Sequence, residues 1–264
     1  MYPTVLFGPD SLPYNTSGMT ALSPAPPNTG VGGMVAQRYK YPMGQQLILQ
    51  DGRKYRFGVA GGSTLVIGDV VCGPVATASS QNLTAAANAI GQRFITLTTA
   101  ASTAVNTFAE GYASVSVTPG AGNIYKIASH ATFTSGAGDV VNLAPGHGLR
   151  VALTTTSRVD LYQNKYDGLL QAPATTLASA VAGVALTAPL TRVGCWVQTR
   201  GMASVLGTGT LIAGTRAIAG SAAGGAVAPE TATEATSAIE VTIGVAFYAA
   251  ATEAWSGIFL RIDG

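Results

Sequence analysis

The amino-acid sequence predicts an all-β protein, because strand-like alternation, frequent turn signals and small or β-branched side chains recur along it. Gly, Ala, Thr, Ser and Val dominate the 264 residues, whereas 10% of the residues are charged and 7% are aromatic. Such side chains suit tightly packed sheets and tight turns. Short strands at close spacing are typical of one or two small barrel- or sandwich-like modules, and a tulip-like sheet gives the same signals.

The clearest predicted element is a β-hairpin. The segment "QQLILQDGRKYRFGV" (45–59) sets Asp51-Gly52 between two strand-like runs, which is the strongest short-range hairpin signal. Turn sequences such as "PGAGN", "SGAGD" and "APGHG" separate the runs that follow. Those further strands are predicted over 93–99, 112–118, 124–130, 139–143, 149–155, 157–162, 193–199, 238–247 and 257–262.

Three segments lack strand chemistry. Ser80–Ile90 is rich in helix-favouring alanine but has no stripe of large apolar residues, which predicts a short helix or a loop. Ala217–Ala235 is rich in Gly and Ala, which predicts a long surface loop. Prolines and glycines in residues 1–35 predict an extended arm, either a disordered tail or a strap that orders against a neighbouring chain.

These segments give a predicted division of the chain into three parts. The extended arm covers residues 1–35, a small β-module covers 36–75, and a main β-rich domain covers 76–264. The Gly/Ala-rich loop lies near 213–236, inside the main domain.

Charge, cysteine content and hydropathy exclude several classes of protein. The net charge of +2 argues against a nucleic-acid binder, which needs clustered Lys and Arg, and the sparse charge favours assembly with other subunits. No export signal is predicted, because Tyr2 and Pro3 stand where a signal peptide would carry Lys or Arg. No membrane span is predicted, because Thr, Ser and Pro interrupt the longest apolar stretch, 172–190. Cys72 and Cys195 match no disulfide or zinc spacing, so we expect buried free thiols in a reducing cytosol.

No motif for catalysis or for a cofactor is visible. His130 and His147 lie at a strand end and in a turn, where a structural role is expected. The Gly-rich segment 58–64 lacks the lysine of a phosphate-binding loop and precedes a strand, which predicts a turn. Asp160 and Asp167 lack the ligand spacing of a calcium loop. The sequence therefore predicts a protein that is not an enzyme and has no cofactor or metal.

Several segments together resemble a family of virus structural proteins. They are "MGQQLILQDGRKYRFGVAGGSTLVIGDVV", "GNIYKIASH", "LRVALTTTSRVDLYQNKYDGLLQAP" and "CWVQTRGMASVL". Their order and phrasing, from about Met43 onward, resemble capsid decoration (cement) or head-associated proteins of tailed bacteriophages. The resemblance implies a β-rich virion protein that is assembled in the host cytoplasm. It implies a homo-oligomer, often a trimer, on the capsid exterior that stabilises contacts between major capsid subunits.

The sequence also suggests which residues would contact the capsid or other subunits. An extended arm can add a strand to a neighbour's sheet edge, and a basic hairpin can meet an acidic patch. For Trp196 and Trp255, strand-like alternation favours a core role over an interface role. A receptor- or glycan-binding fibre or adhesin-type virion protein is the alternative function, and a hydrolase on a β-scaffold comes third. The predicted interface residues are Tyr2, Leu6, Phe7 and Tyr14 in the arm and Arg53, Lys54 and Arg56 in the hairpin.

Overall fold

The fold is all-β, as predicted. A computed structural model describes residues 5–7, 41–174, 177, 179–219, 224–229, 241–249, 251 and 254–263, and these residues contain no α-helix. Their strands are β1 (Val5–Phe7), β2 (Gln46–Ile48), β3 (Lys54–Ala60), β4 (Val70–Cys72), β5 (Leu83–Ala85), β6 (Phe94–Thr98), β7 (Tyr112–Val117), β8 (Ile124–His130), β9 (Gly138–Leu143), β10 (Arg158–Tyr162), β11 (Asp167–Gln171), β12 (Val181–Ala185), β13 (Gly194–Leu206), β14 (Arg216–Ala219), β15 (Val227–Pro229), β16 (Val241–Ala246) and β17 (Trp255–Arg261).

The described chain forms two compact units. The first contains residues 5–7, 41–75 and the described residues from 165 onward, and the second contains 76–164. This division differs from the predicted boundaries at 36–75 and 76–264. The physical reason is that β3 pairs with β11 and β13, so the early hairpin and the later strands share one sheet.

The second unit is a closed antiparallel barrel with the strand order β10-β5-β6-β9-β8-β7. Alternation along each strand sends one set of side chains inward, as in β7, where Ala113 and Val115 are buried and Tyr112 is exposed. The barrel core is made of Leu83, Ala85, Ile95, Leu97, Phe108, Ala113, Val115, Tyr125, Ile127, Phe133, Val141, Leu143, Leu149, Leu153, Val159 and Leu161.

The first unit is an 11-stranded sheet in which β3 also pairs with β13. This pairing closes a ring of strands in the order β3-β11-β4-β12-β13. Strand β13 is 13 residues long, and its second half leaves the ring to pair with β17. Strands β16, β14 and β15 continue the sheet from β17. A core that includes Val205, Ile243, Ile258 and Leu260 lies on the inner face of this continuation.

The structure confirms the hairpin, whose strands β2 and β3 pair across Asp51-Gly52. It also confirms strands within the segments predicted from 93 to 143, 157 to 162 and 193 to 262, as far as the described residues extend. The predicted strand over 149–155 is wrong, because only Leu153 there bridges to another residue, Asn88. The structure also has short strands in two further segments for which the sequence predicted a loop or a helix.

The interpretation of Ser80–Ile90 as a short helix or a loop is wrong at 83–85, where the structure has a strand. Residues 83–85 form β5, which pairs with β6 and β10 because Leu83 and Ala85 close the barrel core. The surface loop predicted over Ala217–Ala235 is wrong where β14 and β15 lie, since Ala217–Ala219 and Val227 are buried. Small side chains in these strands allow close packing, and this packing gives no strong signal in the sequence.

Candidate functional site

The outer face of β17 and its neighbours exposes a group of large apolar side chains. We call this group the β17 face and define it as Met202, Phe247, Tyr248, Trp255 and Phe259. Trp255 is 53% exposed and Tyr248 is 66% exposed. Met202 lies opposite Phe259 in the β13–β17 pair, and the rings of Phe247 and Tyr248 are 4.8 Å apart. Contiguous apolar surface of this kind is a mark of an interaction site in a soluble protein.

The alternation of β17 explains why one of its faces is left uncovered. Ser256, Ile258 and Leu260 are buried on the inner face, whereas Trp255 and Phe259 point outward. A strand with apolar residues on both faces is expected to be covered on both faces. Within the described residues the outer face stays exposed.

The Trp255 side chain packs against a specific part of the backbone on this face. Gly68 has a φ of +78°, and a Cβ built on it would lie 2.0 Å from Cζ3 of Trp255. The indole therefore lies directly against the Gly68 backbone. Val66 and Ile67, which directly precede Gly68 in the chain, are also exposed. The core role predicted for Trp255 is wrong, because alternation places a residue on a strand face but does not say whether that face is covered. The core role of Trp196 is confirmed, since it is fully buried.

A groove of about 460 Å³ adjoins the β17 face at the tip of the β2–β3 hairpin. Arg53 lies at the tip and donates from its backbone N–H and its Nε to the Asp51 carboxylate. Gly201 has a φ of +87°, and a Cβ there would lie 2.8 Å from Cγ of Arg53. The groove is lined by Asp51, Gly52, Arg53, Arg200, Gly201, Met202 and Phe259.

The structure gives the hairpin arginines Arg53 and Arg56 carboxylate partners within the chain. Arg56 donates from Nε to Oδ2 of Asp263 at 2.6 Å and from Nη1 to the carbonyl of Gly44 at 3.0 Å. Thr199 Oγ1 donates to the same Asp263 oxygen at 3.1 Å. Arg53 is paired with Asp51, as described above, so these carboxylates offset much of the charge that the sequence placed at the hairpin.

Strand β3 also places Lys54 in line with positively charged residues of two other strands. Lys54 lies opposite Arg200 of β13, and Arg200 lies opposite Arg261 of β17. Three cations therefore stand in one cross-strand row, of which Arg200 lines the groove. This row could not be predicted from the amino-acid sequence, because only the strand pairing of the sheet brings the three residues together.

Part of the arm is also described. Leu6 and Phe7 belong to β1, which pairs in parallel with β2 through Leu6 opposite Leu47 and Phe7 opposite Ile48. In this structure the arm therefore adds a strand to a sheet edge of its own chain. Tyr2 and Tyr14 lie outside the described residues.

The barrel carries a second surface with exposed aromatic rings. Tyr112 of β7 lies opposite Tyr162 of β10 on one side and opposite Lys126 of β8 on the other. Lys126 Nζ is 5.8 Å from the centre of the Tyr112 ring. Two register positions along, Asp160 lies opposite Ser114, and Asp160 Oδ1 accepts from the N–H of Asn82 at 2.6 Å. We call Tyr112, Tyr162 and Lys126 the tyrosine row.

Three of the nucleophilic and basic side chains singled out in the sequence, Cys72, Cys195 and His130, lie away from solvent, whereas His147 is half-buried. Burial raises the pKa of the Cys72 thiol to about 11 and that of Cys195 to about 12, and both thiols are free, as predicted. His130 is fully buried, and burial lowers its pKa. A side chain enclosed in this way has no access to a substrate.

The two acidic residues singled out in the sequence, Asp160 and Asp167, each have a different partner within the chain. Asp167 accepts from Nη1 of Arg192 at 3.1 Å, and burial raises its pKa although Arg192 opposes the shift. Asp160 is engaged with Asn82, as described above. The described part of the chain holds no group of three or more His, Cys, Asp or Glu side chains able to bind a metal ion. In that same part, no helix has the length and apolar character required to cross a bilayer.

Comparison with known proteins gives no relative. No family model, no curated protein and no solved structure matches the chain.

Proposed function

We propose that the chain is a non-enzymatic structural protein of a tailed-bacteriophage virion, which binds the outer surface of the capsid and stabilises contacts between major capsid subunits. The proposal joins the resemblance in the sequence to one structural observation, the exposed β17 face. The chain acts as a homo-oligomer in this proposal, and the trimer implied by the resemblance is its expected form. An association surface needs exposed apolar anchors and no catalytic group.

The geometry of Trp255 supports a binding role for this face. Interface energy concentrates in a few aromatic and arginine side chains at the centre of a contact. The Gly68 backbone holds the indole in place before binding, so little side-chain freedom is lost when a partner covers it. Met202 and Phe259 extend the apolar surface along β13 and β17 toward the arginine groove.

The proposal predicts that Trp255→Ala weakens binding to capsids that lack this protein by at least about tenfold, because a central aromatic anchor contributes 2 kcal/mol or more in typical interfaces. Binding is measured by co-sedimentation, together with the temperature at which the heads break open. The wild-type chain should bind in a fixed ratio to the major capsid protein and raise that temperature.

Leu190→Ala is the matched control, because Leu190 is also a large exposed apolar residue of the same unit but lies outside the β17 face. It should bind as the wild type does. Equal binding by Trp255→Ala and wild type would remove the β17 face from the proposal. No binding by the wild-type chain would overturn the capsid role itself.

The tyrosine row supports a second candidate function, binding of glycans as an adhesin-type virion protein. Sugars stack on exposed aromatic rings, and polar groups beside the rings fix their hydroxyls. Tyr112 and Tyr162 supply two neighbouring rings, and Lys126, Ser114 and Asp160 lie beside them.

This candidate predicts that the wild-type chain binds a subset of an array of immobilised glycans and that Tyr112→Ala with Tyr162→Ala lowers the signal at least about tenfold, since two stacked rings are lost. Phe94→Ala is the control, because Phe94 is an exposed aromatic residue elsewhere on the same barrel. A wild-type chain without glycan binding, or a double variant that binds equally well, would exclude the adhesin role for this surface.

A further inference from the structure

The row of cations at the groove is unusual for a sheet. Residues directly opposite each other in an antiparallel pair have neighbouring side chains, and like charges in such positions destabilise the pair. Arg200 nevertheless lies opposite Arg261 on one side and opposite Lys54 on the other. Repulsion between these like charges lowers the stability of the sheet, and a bound anion would remove that repulsion.

The carboxylates at this end of the unit are already used by other arginines. Asp51 accepts from Arg53, and Asp263 accepts from Arg56 and Thr199. Within the described part of the chain, neither the Arg200 nor the Arg261 guanidinium forms an ion pair. Arg200 lines the groove, so its donors are available to a molecule that enters there.

The rest of the groove lining indicates what kind of anion fits. Met202 and Phe259 are partly exposed apolar side chains and form the wall next to Arg200. A protein segment with acidic and apolar side chains places carboxylates on the guanidinium and apolar groups on this wall. A nucleic-acid backbone would leave the apolar wall uncovered, and the chain's net charge of only +2 gives little attraction for a polyanion.

We infer that the groove binds a carboxylate of an acidic, partly apolar segment of a partner protein, with Arg200 as the principal donor and Arg261 as the neighbouring cation. Bidentate pairing between arginine and carboxylate gives both strength and orientation. The inference rests on the proposed function, because it names the partner chemistry next to the β17 face. In this inference Arg200 and Arg261 take the contact role that was predicted for Arg53 and Arg56. The latter two have carboxylate partners in the chain.

The test measures fluorescence anisotropy of a labelled Leu-Glu-Phe-Glu-Leu peptide with the full chain. Arg200→Gln should weaken binding about tenfold and Arg261→Gln about threefold, and binding should weaken as salt rises. Arg150→Gln is the matched control, because Arg150 is an exposed arginine of the barrel. A peptide with Gln in place of Glu should bind at least about tenfold more weakly.

Thermal unfolding of the same variants separates binding from a structural role. Removal of a like charge should leave the Tm of Arg200→Gln and Arg261→Gln unchanged or slightly raised. A lower Tm in both variants would show that the guanidinium groups hold the sheet together, and it would overturn the inference. Equal binding of the Glu and Gln peptides, or tighter binding of a thymidine oligonucleotide of the same charge, would overturn it as well.

Capsid co-sedimentation distinguishes failure of this inference from failure of the proposed function. If Arg200→Gln binds capsids as the wild type does while Trp255→Ala does not, the carboxylate site is wrong and the β17 face stands. If the peptide binds as expected but the wild-type chain does not bind capsids, the capsid role is wrong and the carboxylate site stands.

Discussion

Replacement of His130 by alanine should destabilise the barrel by about 3 kcal/mol, the sum expected for a buried cavity and a lost buried hydrogen bond. The His130 ring lies 4.2 Å from the Phe133 ring and 5.5 Å from the Phe108 ring, centre to centre. Its Nε2 accepts from the N–H of Phe108 at 3.0 Å, so its Nδ1 carries the proton and donates to the carbonyl of Ala131 at 2.6 Å. Alanine leaves the Phe108 N–H buried without an acceptor.

The measurement is hydrogen exchange of the barrel amides, followed by mass spectrometry. Trp196 and Trp255 both lie in the other unit, so tryptophan fluorescence reports on that unit and serves as an internal control. His147→Ala is the matched variant, because His147 is half-buried in a turn of the same barrel. It should keep the wild-type protection, and protection retained by His130→Ala would contradict the prediction.

His130 should also make the stability of the barrel depend on pH. Burial holds its pKa below the ordinary value of 6.5, and protonation would remove the lone pair that Phe108 needs. Below pH 6.5 the unfolded chain binds a proton that the folded barrel resists. Stability is therefore complete above that pH and falls as the pH drops toward the lowered pKa. His130→Gln should lose this component, and an unchanged slope in that variant would contradict the assignment.

Local signals predicted the parts of the fold that depend on neighbouring residues. The Asp51-Gly52 turn predicted the β2–β3 hairpin, and the alternation of apolar and polar residues predicted β7 and β8. Both signals depend only on residues that are close together in the chain. The joining of β3 to β11 could not be predicted, since it depends on pairing between segments far apart in the chain. That pairing places the barrel as an insertion between two parts of the first unit.

Composition misled the prediction where small residues are packed closely. Ala217–Ala219 carry the chemistry of a loop, but they are buried in β14 because alanine lets neighbouring strands approach. The exposed β17 face was not predicted, for a related reason. The segment "WSGIFLR" has large apolar residues on both faces, and this was the available signal that the outer face would need a cover. The Arg200 and Arg261 pair left no trace in the sequence, because only the sheet register brings the two together.

Gly244→Ala should lower the unfolding free energy of the first unit by about 2 to 3 kcal/mol, the usual cost of forcing an extra group into a packed site. A Cβ on Gly244 would lie 2.3 Å from the carbonyl oxygen of Phe259 and 2.9 Å from its carbonyl carbon. These are backbone atoms of β17 and cannot rotate away, so β16 would have to move. The shift would also disturb Phe259 on the β17 face.

Gly257→Ala is the matched control for this prediction. Gly257 lies in β17, and a Cβ there would lie 3.3 Å from Sδ of Met202, the end of a flexible side chain. Both substitutions restrict the unfolded chain in the same way, so the difference between them isolates the contact in the folded state. Gly257→Ala should change stability by less than about 0.5 kcal/mol. Urea unfolding followed by tryptophan fluorescence reports on this unit, which contains Trp196 and Trp255. Equal losses in the two variants would mean that the approach of Gly244 to the Phe259 carbonyl does not hold β16 against β17, and the position of Phe259 would then need another cause.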